Sequence, residues 1–193
     1  MNKADVFKDE LLLIKDESIR KWTELAINAL PDYFFHIPAS STGKYHPAYS
    51  LGEGGLVRHT RAAMRIAVEL SRLDWWHFKG NELDLCLAAI APHDGYKSGV
   101  IEEKFTRADH PNIVVTEFSK NPMLNSVLPK EDFDTIMGII STHMGQWNRD
   151  FKTKAEILDK PVTKLQKFVH LCDYLASRKC LTMEFDVPLS RES

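Results

Sequence analysis

Residues 83–98 read LDLCLAAIAPHDGYKS, and the fold turns on them. Leu83, Leu85, Cys86, Leu87, Ala88, Ala89, Ile90 and Ala91 leave almost no polar stripe to face water. A helix that is apolar nearly all round is a buried helix. This one runs straight into His93-Asp94, followed by Gly95 and the short arm of Lys97. An imidazole and a carboxylate therefore arrive together at the end of a core helix, where a carboxylate is costly unless it is paired or binds a metal. A single His-Asp pair is a weak signal. It gains weight from histidines and acids at the ends of other helices.

Composition sets the frame around this helix. The chain has 193 residues, 44% hydrophobic and 27% charged, the profile of one globular domain able to bury a full core. Cys86, Cys172 and Cys180 make no C-x-x-C pair, and the first two fall in apolar helical runs, which points to a reducing, cytoplasmic setting. The opening MNKADVFKDELLLIKDES has too short an apolar run for a signal peptide or a membrane span. A net charge of −2 argues against an extended nucleic-acid-binding surface, and no membrane contact is expected. A homodimer through the N-terminal helices is compatible with the sequence, though nothing requires it.

Taken in order, residues 4–15 suit a short helix. Residues 17–30 suit a longer one, with Ile19, Trp22, Ala26, Ala29 and Leu30 inward and Pro31 as a stop. Residues 31–54 form the longest irregular stretch, placed to wall a pocket. Gly54-Gly55 opens a helix to about Leu73 whose inner face is Leu56, Thr60, Ala63, Met64, Ala67 and Leu70, with His59 in its first turn. After the aromatic connector 75–78 and the core helix 82–92 comes a charged loop, Gly99–Ala108, read as mobile. Asp109 then fits a helix N-cap and Pro111 the first turn, which puts His110 at a helix start. Residues 131–142 form a helix with Phe133, Ile136, Met137 and Ile140 inward; His143 continues that stripe and Gly145 ends it. Residues 161–178 form the last long helix, with Val162, Leu165, Val169, Cys172 and Leu175 inward and Asp173 beside them. The polar tail 181–193 reads as loose. No strand pairing is signalled. The expectation is an all-α fold, an irregular bundle of about seven helices. Its segments are N-terminal helices and loop packed on the core (1–44), a metal-binding domain (45–180) and the tail.

Five helices or helix ends thus each offer a metal-ligand type near the core: His59, His93 with Asp94, His110, His143 and Asp173. Four imidazoles and two carboxylates suffice for two divalent cations, with Asp94 able to bridge them through its two oxygens. The mixed nitrogen and oxygen set favours Mn, Fe, Co, Ni or Zn over Ca or a purely aquated Mg. His36 and His77 read as structural. His46 lies in the irregular stretch and either faces the site or does not, and His170 precedes Asp173 by one turn. Trp147 either stacks on a base or plugs the end of the bundle. Arg58, Arg61 and Arg178 sit near the right helices for phosphate contacts.

The order H…HD…H…H…D resembles that of the HD-domain superfamily in its binuclear form, over Tyr45 to Lys179. KYHPAYSLGEGGLVRHT resembles the HHA…GGLLEHT segment of the HD-domain 3′–5′ exoribonucleases and HD-type relaxase proteins; LAAIAPHDGYK is similar to LAALLHDIGK. ADHPNIVV, IISTHMGQW and HLCDYLASRK are similar to the GHP/DHP, ILSHHG and ADYLDAK steps. Pro92, the order Gly95-Tyr96 and Arg58 depart from the pattern without touching a ligand. The resemblance implies a first metal on His59, His93, Asp94 and Asp173. A second would lie on Asp94, His110 and His143. Mn2+ or Fe2+ would be favoured, with Mg2+, Co2+, Ni2+ or Zn2+ as alternatives. It implies Asp94 and Lys97 as catalytic residues, Lys97 contacting phosphate. The implied activity is metal-dependent hydrolysis of a nucleotide or short nucleic-acid phosphoester; from their positions in the chain, His46, Arg58, Trp147 and Arg178 are read as further substrate contacts. The same ligand order also occurs in mixed-valent di-iron oxygenases, and a non-catalytic nucleotide-binding regulator is the third alternative.

Overall fold

In the computed structural model, which describes residues 2–186, the chain is an all-α bundle. Its α-helices are α1 (Lys8–Leu11), α2 (Glu17–Asn28), α3 (Gly55–Ser71), α4 (Glu82–Ile90), α5 (His110–Ser119), α6 (Pro122–Val127), α7 (Lys130–Thr142) and α8 (Lys164–Ala176). Short 3-10 turns at Lys3–Phe7, Asp32–Phe35 and Ala48–Ser50 complete the set. The described residues hold no sheet, only an isolated bridge between Arg149 and Glu156. No helix among them is long and apolar enough to cross a membrane.

Helix α4 is the hub, touching α2, α3, α7 and α8. Its residues Leu83 to Ile90 are all buried, as an all-round apolar helix has to be. Asp84 is the exception to that composition, and its carboxylate oxygens accept the backbone N–H groups of Lys15 (3.1 Å) and Asp16 (2.9 Å). Asp16 in turn caps α2 by accepting from Ser18 and Ile19. Trp22 on α2 is fully buried and donates its indole N–H to the Leu124 carbonyl at 3.1 Å, tying α2 to α6. Helix α6, absent from the expected set, is started by Asn121, whose side chain accepts from Met123 and Leu124. Thr163 and Gln166 form a reciprocal capping box that opens α8.

The entry to α3 needs two glycines for different reasons. Gly54 adopts φ +68°, a left-handed conformation that favours glycine. Gly55 lies so close to the preceding turn that an added Cβ would sit 2.3 Å from the Ser50 carbonyl oxygen. The chain thereby passes the 3-10 turn at 48–50 and enters α3 within a few residues, which delivers His59 to the core.

Four expectations are corrected. Val162, expected inward on the last helix, precedes α8 and is exposed, because the capping box starts the helix only after Thr163. Asp109 occupies the cap position of α5, but its carboxylate turns instead to the Arg107 guanidinium, at 2.9 and 3.0 Å. The loop 99–108 is pinned by that contact, by Arg107 to Glu103 and by the Tyr33 hydroxyl on the Gly99 carbonyl. The tail is not loose at Glu184 and Phe185: Arg65 donates to both carbonyls, and the Phe185 ring packs edge-on to Tyr49 at 5.7 Å. Residues 187–193 of that tail lie outside the described residues.

Candidate metal centre

The bundle brings all six expected ligands together. His59 comes from the first turn of α3, His93 and Asp94 from the turn after α4, His110 from the first residue of α5, His143 from the end of α7 and Asp173 from α8. All four imidazoles and Asp94 are buried, and the Asp173 side chain keeps 19% of its exposure. Three groups have ligand atoms within 4.8 Å of one another: His59 with His93 and Asp94, His93 with His143 and Asp173, and Asp94 with His110 and His143.

The two oxygens of Asp94 point to different partners. Oδ2 lies 3.8 Å from His59 Nε2 and 3.5 Å from His93 Nε2; Oδ1 lies 2.9 Å from His110 Nε2 and 3.6 Å from His143 Nε2. Asp173 Oδ1 joins the first group at 2.9 Å from His59 Nε2 and 3.5 Å from His93 Nε2. Ligands bonded to one ion at about 2.1 Å stand roughly 3.0–3.4 Å apart by simple geometry, close to this spread.

What aims the imidazoles is a backbone device. Nδ1 of His93 donates to the Ile90 carbonyl (2.7 Å), Nδ1 of His110 to Arg107 (2.7 Å) and Nδ1 of His143 to Ile140 (2.8 Å). Each acceptor lies three residues upstream. A carbonyl can only accept, so the proton sits on Nδ1 and the Nε2 lone pair faces the cluster, as a metal-ligating imidazole requires. His93 Nε2 is buried with no hydrogen-bond partner, as is His59 Nδ1. Buried polar atoms are normally satisfied. An unpartnered imidazole nitrogen 3.5 Å from two carboxylates is a donor set suited to a cation, so these residues fit a metal ion.

Charge supports the same reading. Burial opposes ionisation of Asp94, yet Lys97, His93 and the neighbouring His110 and His143 imidazoles hold its carboxyl well below the usual range. Burial likewise opposes the charge on Asp173, and His59 and His93 outweigh it. Burial works against a charge on His93, but Asp94 and Asp173 raise its pKa above the usual 6.5. Burial instead brings His143 down to about 4, against the opposing bond from Asp94. The cluster thus sets two ionised carboxylates, Asp94 and Asp173, against four imidazoles, a donor set that could hold a cation.

The remaining expected residues separate. Lys97 is at the centre, its ammonium 2.5 Å from Asp94 Oδ2. His46 stands next to it: its ring is 5.8 Å from that of His59, and its Nδ1 is buried without a partner. Burial, with His59 and Lys97 nearby, lowers its pKa to about 4. Arg58 does not serve as a free phosphate contact, because its guanidinium donates to the Tyr49, Leu51 and Glu53 carbonyls and clasps the loop before α3. Arg61 is taken by Glu10 at 3.0 Å. Trp147 is no plug, being 44% exposed and stacked on Tyr174. Arg178 lies over Tyr174 and Tyr45. His170 bonds the His143 carbonyl at 2.7 Å and so steadies the turn that carries that ligand. His36 is exposed beside Glu53, and the backbone of His77 takes up φ +44° away from the cluster. The upstream carbonyls of Ile90, Arg107 and Ile140 were not foreseen; a backbone acceptor carries no residue signal, although the repeated spacing of three is visible once the ligands are known. Comparison with protein-family models, curated proteins and solved structures found no match for this chain.

Proposed function

We propose that the centre holds two divalent cations bridged by Asp94 and that the protein is a metal-dependent phosphoester hydrolase of the HD-domain type. The observation that carries this reading is the division of the Asp94 oxygens between two sets of imidazoles, one set completed by Asp173. His59, His93, Asp94 and Asp173 would hold one ion and Asp94, His110 and His143 the other. When bound, such a pair supplies Lewis acidity to a phosphoryl oxygen and an activated water.

The chain's own groups supply the rest. The Lys97 ammonium, paired with Asp94 at 2.5 Å, would bind a phosphoryl oxygen and neutralise charge that builds there. The carbonyls of Ile90, Arg107 and Ile140 keep three imidazoles from rotating, so geometry is set before substrate arrives. No serine or cysteine nucleophile is required, and both core cysteines are held protonated by burial. The substrate class we favour is a nucleotide or a short nucleic-acid phosphodiester.

The test is hydrolysis of an aryl phosphodiester by protein loaded with Mn2+, alongside elemental analysis of protein purified without added metal. Turnover in the wild type and its loss in Asp94→Ala supports the reading. Equal rates for the two across several phosphoesters end it. Bound iron with substrate-dependent O2 uptake in place of hydrolysis would move the centre to oxygenase chemistry.

A further inference from the structure

Near the candidate metal centre runs a ladder of planar and cationic groups, of which the sequence pointed only to Trp147 and Arg178 as substrate contacts. Trp147 stacks on Tyr174 with ring centroids 5.7 Å apart and planes 14° from parallel. The Arg178 guanidinium lies 4.4 Å from the Tyr174 centroid and 5.9 Å from that of Tyr45. Lys44 stands 5.0 Å from the Tyr45 ring. Three separate pieces of chain therefore contribute to one row: the turn after α7, the end of α8 and the irregular stretch before α3. A backbone bond from Lys179 N–H to the Tyr45 carbonyl, 3.1 Å, fastens the last two together.

Two features make this row a surface for a ligand. Tyr45 is 57% exposed and Trp147 44%, the latter with one face already covered by Tyr174. Neither Arg178 nor Lys44 pairs with a carboxylate among the described residues; their partners are aromatic faces and the Ser177 hydroxyl. A guanidinium set between two aromatic rings, with a lysine beside one of them, gives anion attraction and π-stacking together, which is the chemistry that holds single-stranded nucleic acid. The row also ends where it should. Tyr45 adjoins His46, whose ring lies beside His59, and the Trp147 ring lies 6.1 Å from that of His170, tilted by 58°; His170 in turn donates to the carbonyl of His143. Each end thus reaches a candidate metal ligand through one intervening histidine.

We propose that Trp147 is a base-stacking subsite, so that the preferred substrate is a phosphodiester whose flanking nucleotide lays its base on the indole while Arg178 and Lys44 attract its backbone. This deepens the phosphoester reading above and rests on it for the identity of the site, but the binding step can be measured without catalysis. The measurement is titration of the full chain, in chelator to prevent turnover, with hexathymidylate and with an abasic hexamer of the same charge. The wild type is expected to bind the thymidylate about tenfold more tightly, and Trp147→Ala to bind the two alike. Trp147→Phe, which keeps an aromatic face, should retain most of the preference. Equal binding of the two oligomers by the wild type, or a preference that survives in Trp147→Ala, overturns the proposal. Metal content of Trp147→Ala, expected unchanged, separates loss of the subsite from damage to the centre. An intact base preference without hydrolysis of any phosphodiester would sink the hydrolase and leave the subsite standing.

Discussion

Helix α3 carries two buried polar clusters, and they are built on opposite principles. Near its start His59 faces Asp94 and Asp173, in a group where His93 Nε2 and His59 Nδ1 are buried without a hydrogen-bond partner. Further along, Arg61 and Arg65 close on Glu10, which is completely buried, and the remaining Arg65 donors reach the Glu184 and Phe185 carbonyls. The second cluster is satisfied from within the chain: a carboxylate faces two guanidiniums, and the Phe185 ring lies 5.1 Å from each. It is a fastener that pins the C-terminal segment and the first helix to α3. The first cluster sets two carboxylates against one lysine ammonium, that of Lys97, and leaves imidazole nitrogens unpartnered. The lesson is that burial of polar groups alone does not mark a site; burial with unmet donors and acceptors does.

The sharpest way to break this contrast is to remove Asp94. Asp94→Ala should abolish stoichiometric metal, read by elemental analysis, and lower any phosphoesterase rate at least about 100-fold, beyond the cost of losing an outer-shell partner. The same analysis on Arg65→Ala should find metal content unchanged. Arg65→Ala instead strands a buried carboxylate with half its partners, and urea unfolding should register a loss of about 3–5 kcal/mol.

Ligand linkage gives a third comparison. Adding Mn2+ at 100 to 1,000 times its dissociation constant should stabilise the wild type by about 3–4 kcal/mol, and chelator should reverse it. His59 and Arg65 are six residues apart on one helix, about 9 Å along its axis, so the increment should be nearly the same in Arg65→Ala. An increment that vanishes in that variant would mean the two clusters are one network.

The smallest expected effect is none at all. Burial pushes the Cys86 and Cys172 thiols up, whereas Cys180 is exposed. A thiol reagent at pH 8 should therefore modify one cysteine in the native protein and all three in denaturant. Chelated protein should still show one, because the apolar core around α4 and α8 shields the other two. Rapid exposure of Cys172 on chelation would show that the centre, and not the apolar packing, holds α8 in place.

Much of this arrangement is legible in the chain. The buried character of α4 follows from residues 83–91, and the inner face of α3 from Leu56, Thr60, Ala63, Met64 and Ala67, all buried as their spacing implies. The six candidate ligands could be named because the chain has only eight histidines and the resemblance supplied the order of the set. Other features were not legible. Val162 was placed inward by periodicity, but the capping box decides where α8 begins. Asp109 looked like a cap, but a guanidinium two residues away offered it a stronger partner. Phe185 gave no sign of order, since what holds it is Arg65, well over a hundred residues upstream.

Local pattern, then, was enough to give an all-α chain, a dry central helix and a short roll of ligand-type side chains, because helical periodicity and the cost of burying polar groups act over a few residues. Which of those side chains converge, which nitrogen each imidazole turns inward, and whether an arginine fastens a loop or stands free were decided only by packing. Those outcomes depend on carbonyls and carboxylates contributed by distant segments, and a backbone acceptor leaves no mark in the order of residues.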